Sequence, residues 1–298
     1  MLYMISVVIP TFNRGYTLSQ VLDSYYRQKF VEELIIVDDG GSDDTAAVVD
    51  EFSRKYLQIK TIYLKNEKRK GAPYSRRRGL LAAQGEFVLF GDDDDFLEDN
   101  YTEVCLNKLK SLSADIVSGR HFYRNPAESV AEAIARFGQG SINVPPFDFR
   151  LFHINMEAKF QGDAELPFTH AIFVVRRSFL LSHEIDTFYR WGNGFREESD
   201  VQAKIYINGG RIIMTNETHS VHMHSSEVIS GGQRVGRYAY LFWSIFYTAY
   251  FFKKYYRPVM ERQGKNESCV KGVAIYFVMV LYLFIAQPLS VWKRKILG

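Results

Sequence analysis

The sequence predicts an α/β fold in which helices cover both faces of a mostly parallel β-sheet. Short apolar runs rich in β-branched residues alternate with helical segments between residues 4 and 120. These runs are apolar almost throughout, as in strands that are buried on both faces. Of the 298 residues, 47% are hydrophobic, which suffices for a large core. The alternation therefore favours a doubly wound sheet, and hydrophobic helices are predicted after it at the C-terminus.

Each element of the sheet follows from a local pattern. The predicted order is strand ISVVIP, helix 17–28, strand ELIIVDD, helix 43–55, strand IKTIYLK, helix 74–84, strand EFVLFG, helix 101–110 and strand ADIVSG. The N-terminal stretch MLYMISVVIP is too short for the apolar part of a signal peptide and lacks a small-residue cleavage site. We therefore interpret it as the first strand, and no secretion is expected.

The pattern is weaker from 120 to 170, where we predict loops and short helices. Beyond this region, THAIFVVRRSFL predicts a strand that leads into a helix, FREESDVQAKIYINGG predicts a further helix, and RIIMT predicts a strand. The composition then changes sharply after Gly232. We therefore divide the chain into an α/β domain over 1–230 and a helical region over 231–298.

The helical region 231–298 is predicted to associate with a membrane. Its segment GVAIYFVMVLYLFIAQPLSVW just reaches the ~20 residues that a bilayer span needs. However, basic residues flank this segment on both sides, and Gln287 and Pro288 interrupt it. If the α/β domain is cytoplasmic, one span would leave the basic residues 293–295 outside, against the usual charge bias. We therefore expect helices that lie in or dip into the membrane, while a spanning helix and a buried homo-oligomer interface remain alternatives.

The predicted location is the cytoplasmic face of the membrane. Cys105 and Cys269 have neither the spacing of metal ligands nor the density of a disulfide scaffold, which favours a reducing compartment. The net charge of +3 conceals a basic stretch, KRKGAPYSRRR, close to an acidic run, GDDDD. This segregation predicts a site that binds both an anion and a cation, and no nucleic-acid partner is expected.

Acidic residues follow two of the predicted strands. Asp38 and Asp39 end the second strand, and Asp92–Asp95 follow the fourth. Ligands collect at the carboxyl ends of parallel strands, so both groups are expected at one edge of the sheet. Clustered carboxylates repel and raise each other's pKa, which a bound Mg²⁺ or Mn²⁺ would relieve together with a substrate diphosphate. The alternative is a solvated acidic turn, with Ser42 or Asp43 capping the next helix.

Four ordered segments resemble those of glycosyltransferase family 2, whose members transfer sugars from nucleotide-sugars and have the Rossmann-like GT-A fold. The segments are VVIPTFNR, IIVDDGGSDDT, GAPYSRRRGLLAAQGEFVLFGDDDD and FREESDVQAKIYINGGRI, and they cover roughly residues 4 to 230. Four blocks in this order are a specific signal, whereas any one of them would be weak.

The resemblance implies a set of residues that bind the nucleotide-sugar. These are Pro10, Thr11, Phe12 and Asn13 beside the base, Asp39 at the uracil edge, Arg76 facing the nucleotide and Asp92 near the ribose. A carboxylate can accept a hydrogen bond from the ring N–H of uracil, which favours a UDP-sugar. Asp38 is expected to brace the loop instead.

The resemblance also implies the metal ligands and the general base. Asp94 or Asp95 would hold Mn²⁺ or Mg²⁺. His224 fits the family spacing of a further metal ligand better than His222 does. The alternative for His224 is an ordinary surface histidine. Glu198 matches the general base, which must come within ~3 Å of the acceptor hydroxyl.

The residues around Glu198 leave alternatives open. Glu197 and Asp200 are interpreted as residues that stabilise a helix N-terminus. Trp191 either stacks on the acceptor sugar or belongs to the core.

The predicted function is an inverting, metal-dependent transfer of one sugar from a nucleotide-sugar to a hydroxyl of a lipid-linked or saccharide acceptor, in the synthesis of a surface polysaccharide or glycoconjugate. The stretch GGQRVGRYAY lacks the Gln-x-x-Arg-Trp pattern of processive synthases. A sugar-phosphate nucleotidyltransferase and a non-catalytic membrane scaffold are the alternatives. A dehydrogenase is disfavoured because no G-x-G-x-x-G follows the first strand.

Overall fold

The structure is a computed structural model that describes residues 4–138, 145–149, 151–156, 158, 160 and 162–297. The side chains of residues 138, 283 and 285–297 lie outside this description. Predictions that depend on Gln287, Pro288 and the basic residues 293–295 therefore fall outside it too, as does the start of the N-terminal stretch at residues 1–3.

The described part of the chain contains eleven strands. They are β1 (Ile5–Thr11), β2 (Val31–Asp38), β3 (Lys60–Lys65), β4 (Phe87–Phe90), β5 (Asp95–Leu97), β6 (Ile116–Tyr123), β7 (Phe147–Asp148), β8 (His153–Ile154), β9 (Asp163–Glu165), β10 (Phe173–Arg176) and β11 (Ile212–His222). Nine of them form one sheet in the order β3-β2-β1-β4-β10-β6-β11-β5, with β9 paired to β11. The pair β7 and β8 stands apart.

The helices alternate with these strands. They are α1 (Gly15–Tyr26), α2 (Thr45–Lys55), α3 (Ala72–Ala82), α4 (Tyr101–Ser111), α5 (Val130–Gly138), α6 (Arg177–Ser182), α7 (Glu197–Ile207), α8 (Arg237–Arg262) and α9 (Cys269–Leu297), and a 3₁₀ turn spans Thr187–Arg190. Every predicted helix of the first 110 residues is present, with ends that differ by at most two residues from the prediction.

The main sheet is mostly parallel, as predicted. Strands β1, β2, β3, β4, β6 and β11 run in one direction, and β5, β9 and β10 run in the other. The antiparallel β10 lies between β4 and β6, a position that its apolar sequence does not reveal.

The core lies on both faces of this sheet. Successive residues of β1 point to opposite faces, so Val7 and Ile9 pack with α1, α2 and α4, while Val8 packs on the side of α3, α7 and α8. All seven residues of β1 are buried, which explains why its sequence shows no alternation of apolar and polar residues. This arrangement confirms the predicted two helical layers.

Helix α8 belongs to the same core as the sheet. Its residues Phe251, Phe252, Tyr255 and Tyr256 are buried in the layer that contains Val8. The inner face of α8 therefore closes the α/β unit. Among the described residues, none of the helices combines the length and the apolar character that crossing a membrane requires.

Candidate active site

The carboxyl ends of β1, β2 and β4 meet at one edge of the sheet, where a cleft of about 480 Å³ opens. Eight of the predicted site residues line it: Pro10, Thr11, Phe12, Asp39, Arg76, Asp92, Asp94 and Glu198. Residues far apart in the sequence thus come together where the alternation of strands and helices predicts a ligand. Three buried polar atoms of residues that line the cleft, Thr11 Oγ1, Arg76 Nε and Gln233 Nε2, lack a hydrogen-bond partner among the described residues.

Asn13 lies beside the cleft and joins two loops. Its φ is +51°, and its Oδ1 accepts a hydrogen bond from the backbone N–H of Ser42 at 2.7 Å. Next to it, the Arg69 guanidinium lies 4.4 Å over the Phe12 ring, and Arg69 also donates to the carbonyl of Gly232 at 2.7 Å. The loop that follows β1 is therefore held from both sides.

Asp38 and Asp39 differ in what they contact. Asp38 accepts hydrogen bonds from the backbone N–H of Gly41 at 2.7 Å and from the Tyr63 hydroxyl at 2.6 Å. It braces the loop, as expected. Asp39 Oδ2 accepts from the backbone N–H of Gly71 at 2.7 Å, and the other described donors to Asp39 bond to Oδ1. A carboxylate oxygen has about two acceptor positions, so Oδ2 has capacity for a further donor in the cleft.

Arg76 is the centre of a buried group of carboxylates. Its guanidinium donates to Asp92 and to Glu197 in close ion pairs, and it lies 3.2 Å from Glu198. Burial raises the pKa of the Asp92 carboxyl to about 8, although Arg76 opposes the shift. Burial likewise raises the pKa of Glu197 well above its ordinary value. Three carboxyl groups share one guanidinium, and the raised pKa values mean that bound protons offset the negative charge that Arg76 leaves unbalanced.

Glu198 and Glu197 have different surroundings although they are neighbours at the start of α7. The Glu198 side chain is 27% exposed and lines the cleft, whereas that of Glu197 is 2% exposed behind it. Asp200 is buried on the far side, where Tyr189, Lys254 and Tyr255 bond to it. Of the three acidic residues in this turn, Glu198 is the one that can meet a substrate.

A second guanidinium neutralises the tip of the acidic run. Arg14 Nη1 lies 2.7 Å from Asp93 Oδ1 and 2.8 Å from Asp94 Oδ2. Arg14 is not among the predicted site residues, although it directly follows PTFN at the end of the first strand and therefore lies at this edge of the sheet. Its positive charge offsets part of the repulsion among the aspartates.

Side chains with donor atoms suited to a metal ion form a cluster around His222. Donor atoms of Asp95, His121 and His222 all lie within 4.8 Å of one another. His222 Nδ1 is 3.0 Å from Asp95 Oδ1 and 3.7 Å from Asp94 Oδ1. Burial lowers the pKa of His222, but the Asp95 and Asp94 carboxylates outweigh it and raise the pKa to about 9. Asp94 and His222 line the cleft, whereas Asp95 and His121 are buried behind it.

His224 lies outside this cluster. Its Nδ1 pairs with the Ser226 hydroxyl at 2.7 Å, and its backbone N–H donates to Glu227 at 3.0 Å. The structure thus brings His222, rather than His224, beside the aspartates. The reason is the strand pairing, in which His222 of β11 lies opposite Asp95 of β5. The role predicted for His224 stays a prediction.

The family can now be assigned by comparison with known proteins. Residues 6–183 match the family model of glycosyl transferase family 2. The chain belongs to glycosyltransferase family 2. This confirms the family, and with it the class of enzyme, that the four sequence segments indicate.

Similar proteins support this assignment. The family 2 chain is 23% identical over 217 residues to the glycosyltransferase GlyG of Streptococcus pneumoniae serotype 4. That match covers 72% of this chain and 68% of GlyG. It is 30% identical over 134 residues to WfgD of Escherichia coli, named UDP-Glc:alpha-D-GlcNAc-diphosphoundecaprenol beta-1,3-glucosyltransferase. That match covers 45% of this chain and about half, 51%, of WfgD.

A solved structure shares the fold of this family 2 chain. It is a mannosyltransferase from Pyrobaculum calidifontis in complex with GDP-Man and Mn²⁺, with a TM-score of 0.59 and 17% sequence identity. The match covers 96% of this chain and 71% of that one. Because it extends over nearly the whole chain, the match supports a GT-A-like fold.

Proposed function

We propose that the protein is an inverting, metal-dependent glycosyltransferase that moves one sugar from a UDP-sugar to a hydroxyl of a lipid-linked or saccharide acceptor. The observation that carries the proposal is the contact of Arg76 with both Asp92 and Glu198 in the walls of one cleft. This arrangement puts a residue for the donor and a residue for the acceptor proton within one ion-paired unit.

The donor end of the cleft suits a nucleoside diphosphate. Asp39 has acceptor capacity for the ring N–H of uracil, and Thr11 Oγ1 is a buried polar atom without a described partner. Arg14, Arg69 and Arg76 add positive charge for the phosphates. The Escherichia coli relative is named for a UDP-Glc donor, which favours UDP over other nucleotides.

The cleft also has donor atoms for a divalent cation. Asp94 and His222 offer a carboxylate oxygen and an imidazole nitrogen towards the cleft, and Asp95 and His121 extend this donor set behind it. Carboxylate and imidazole suit Mn²⁺, and Mg²⁺ would rely more on the carboxylates. Such an ion, when bound, neutralises charge on the departing diphosphate. Asp94 and His222 are the residues that we assign to it.

Glu198 is proposed to remove the proton of the acceptor hydroxyl. Its carboxylate is partly exposed in the cleft, and Arg76 orients it at 3.2 Å. As the hydroxyl oxygen attacks the anomeric carbon, the bond to the diphosphate oxygen breaks and the proton passes to Glu198. One displacement inverts the anomeric configuration, so a product that keeps the donor's configuration would contradict this step.

We further propose that the outer faces of α8 and α9 dock on the cytoplasmic leaflet of a membrane. Tyr238, Phe242, Val270, Val278 and Tyr282 are each more than half exposed, and exposed apolar and aromatic side chains along two packed helices mark an interaction surface. The acceptor in the name of the Escherichia coli relative is linked to diphosphoundecaprenol, a lipid. Co-sedimentation with phosphatidylglycerol vesicles tests this proposal, and protein that stays in the supernatant at low salt would contradict it.

The central test combines ligand binding with turnover. UDP-, GDP- and dTDP-sugars are added with MnCl₂, and the midpoint of thermal unfolding is measured, because a ligand of the native state raises it. We expect protection by UDP-sugars. Glu198→Gln should keep this protection and lose nearly all transfer, since it retains the shape of the side chain without a base. Protection by none of the sugars would refute the proposal, and full activity of Glu198→Gln would refute the role of Glu198.

A further inference from the structure

A second cavity of about 500 Å³ lies between the 3₁₀ turn and α8. Its aromatic walls include Phe188, Trp191, Trp243, Phe246 and Tyr250. We call it the aromatic groove. Trp191 is 58% exposed and Phe246 is 42% exposed, so the indole is not a core residue. Large aromatic side chains left open in a concave surface indicate a binding site.

The aromatic groove shares a wall with the active-site cleft. Trp191 lines the groove and Asn193 lines the cleft, with only Gly192 between them. Gly192 has a φ of +61°, and a Cβ at this position would overlap the Trp243 ring, so the backbone packs directly on that ring. Asn193 Nδ2 donates to Ser244 Oγ of α8 at 2.8 Å. A ligand longer than the cleft can therefore continue into the groove along a wall that α8 holds in place.

Hydrogen bonds and ring stacking among its own residues hold the walls of the groove in place. The Tyr247 hydroxyl accepts from the backbone N–H of Trp191 at 3.1 Å and lies 2.9 Å from its carbonyl oxygen. The rings of Phe188 and Tyr250 stack with centroids 4.1 Å apart, and those of Trp243 and Tyr247 stack at 5.3 Å. A site whose side chains are fixed in advance loses little conformational entropy when it binds.

The chemistry of the groove favours a sugar ring as its occupant. A sugar has an apolar C–H face that packs on an aromatic ring and a rim of hydroxyl groups that accept hydrogen bonds. Arg190 lies at the groove with its guanidinium 5.1 Å over the Trp191 ring, and it has no salt bridge with any residue in the described ranges. Its five N–H donors can serve hydroxyl oxygens, whereas a hydrocarbon chain would leave them unused.

We infer that the aromatic groove binds a sugar residue of the acceptor that lies next to the one that reacts. The inference rests on the proposed function, because it assigns to the acceptor the side of the cleft that contains Glu198 and Asn193. The acceptor glycan enters through the groove, stacks on Trp191, and presents its terminal hydroxyl to Glu198. The specificity for the acceptor is then set partly outside the cleft.

The test compares two groove variants with a matched control on the same helix. Trp191→Ala and Phe246→Ala each remove an exposed ring of the groove, and Tyr238→Ala removes a ring of α8 that is 79% exposed and does not line it. The labelled full chain is applied with UDP and MnCl₂ to a glycan array of bacterial-surface oligosaccharides. We expect the two groove variants to lose affinity for the bound oligosaccharides about tenfold, as truncation of an aromatic anchor does.

Thermal protection by UDP with MnCl₂ is measured in parallel for every variant, and it should be the same in all of them. If the unaltered protein shows no such protection, the proposed function fails and the groove assignment fails with it. If protection is intact but the groove variants bind oligosaccharides as the unaltered protein does, or the array binds nothing, the groove alone is wrongly assigned. Loss of binding to phosphatidylglycerol vesicles instead, in the groove variants only, would identify the groove as a membrane contact and overturn the inference.

Discussion

Replacing Asp92 by Asn should stabilise the donor-free protein at high pH, even though it removes a residue of the site. The folded pKa of Asp92 is raised to about 8. The stability of the folded protein that depends on the protonated Asp92 is therefore complete below the ordinary carboxyl pKa and is lost as the pH rises through about 8. Each pH unit within that window changes the free energy of unfolding by ~1.4 kcal/mol. From pH 5 to pH 8 the upper bound is about 4 kcal/mol, and because neighbouring carboxylates share the proton we expect about half, ~2 kcal/mol.

Chemical denaturation in the presence of EDTA measures this difference at the two pH values. The matched control is Asp99→Asn, whose side chain is 75% exposed in a surface pair with Arg27 and should change the free energy of unfolding by less than ~1 kcal/mol at either pH. Because Asp92→Asn removes the carboxylate that we place near the ribose, this variant should also lose UDP binding. If Asp92→Asn and the unaltered protein have parallel stability profiles between pH 5 and pH 8, the crowding of charge around Arg76 has been misjudged.

Three further outcomes follow from other parts of the structure. Arg14→Gln should tighten Mn²⁺ binding to the donor-free protein several-fold in a calorimetric titration, because it removes a cation 2.8 Å from Asp94, and unchanged affinity would contradict this. Gly232→Ala should lower the free energy of unfolding by about 1–2 kcal/mol, because the φ of Gly232 is +59° and the added Cβ would overlap Arg14. Gly236 has open space around it, so Gly236→Ala should have no such effect in the same thermal melt. Glu33→Gln should make the loss of stability in acid less steep. The folded pKa of Glu33 is lowered, so the stability that its carboxylate contributes is present above the ordinary carboxyl pKa and is lost as the pH falls through the folded pKa. An equally steep acid profile in the variant would refute this.

The sequence predicted the elements of the fold better than their pairing. Helix α3 was expected over 74–84 and spans Ala72–Ala82, because Gly71, with a φ of +91°, turns the chain just before it. The strand within THAIFVVRRSFL was predicted correctly, yet its antiparallel position between β4 and β6 was not. All apolar strands of a buried sheet look alike in sequence, so direction depends on partners that only the folded chain supplies.

The same limit explains which site residues the sequence could supply. Glu198 and Arg76 follow from motifs, since each belongs to a segment whose order and spacing are specific. The preference for His224 over His222 used spacing alone. His222 is the last residue of β11 and lies opposite Asp95 in the ladder with β5, a strand of three residues that is too short to show in the sequence pattern. A pairing with an unrecognised strand cannot be inferred from the spacing of one segment.

Two guanidinium groups neutralise part of the negative charge of the acidic run, but they are too few to balance all of it. Arg14 contacts Asp93 and Asp94, and Arg76 contacts Asp92 together with two glutamates of α7. Five carboxyl groups meet these two guanidinium groups, and the raised pKa of His222 adds only one further positive charge. The donor-free cleft therefore retains negative charge that only protons or a bound cation can offset. Neutral side chains in place of these carboxylates would make the free protein more stable and would remove the attraction for a divalent ion. The cluster therefore lowers the stability of the free state, and under the proposed function a bound ion and nucleotide would restore it, as expected for a functional site rather than for a solvated turn.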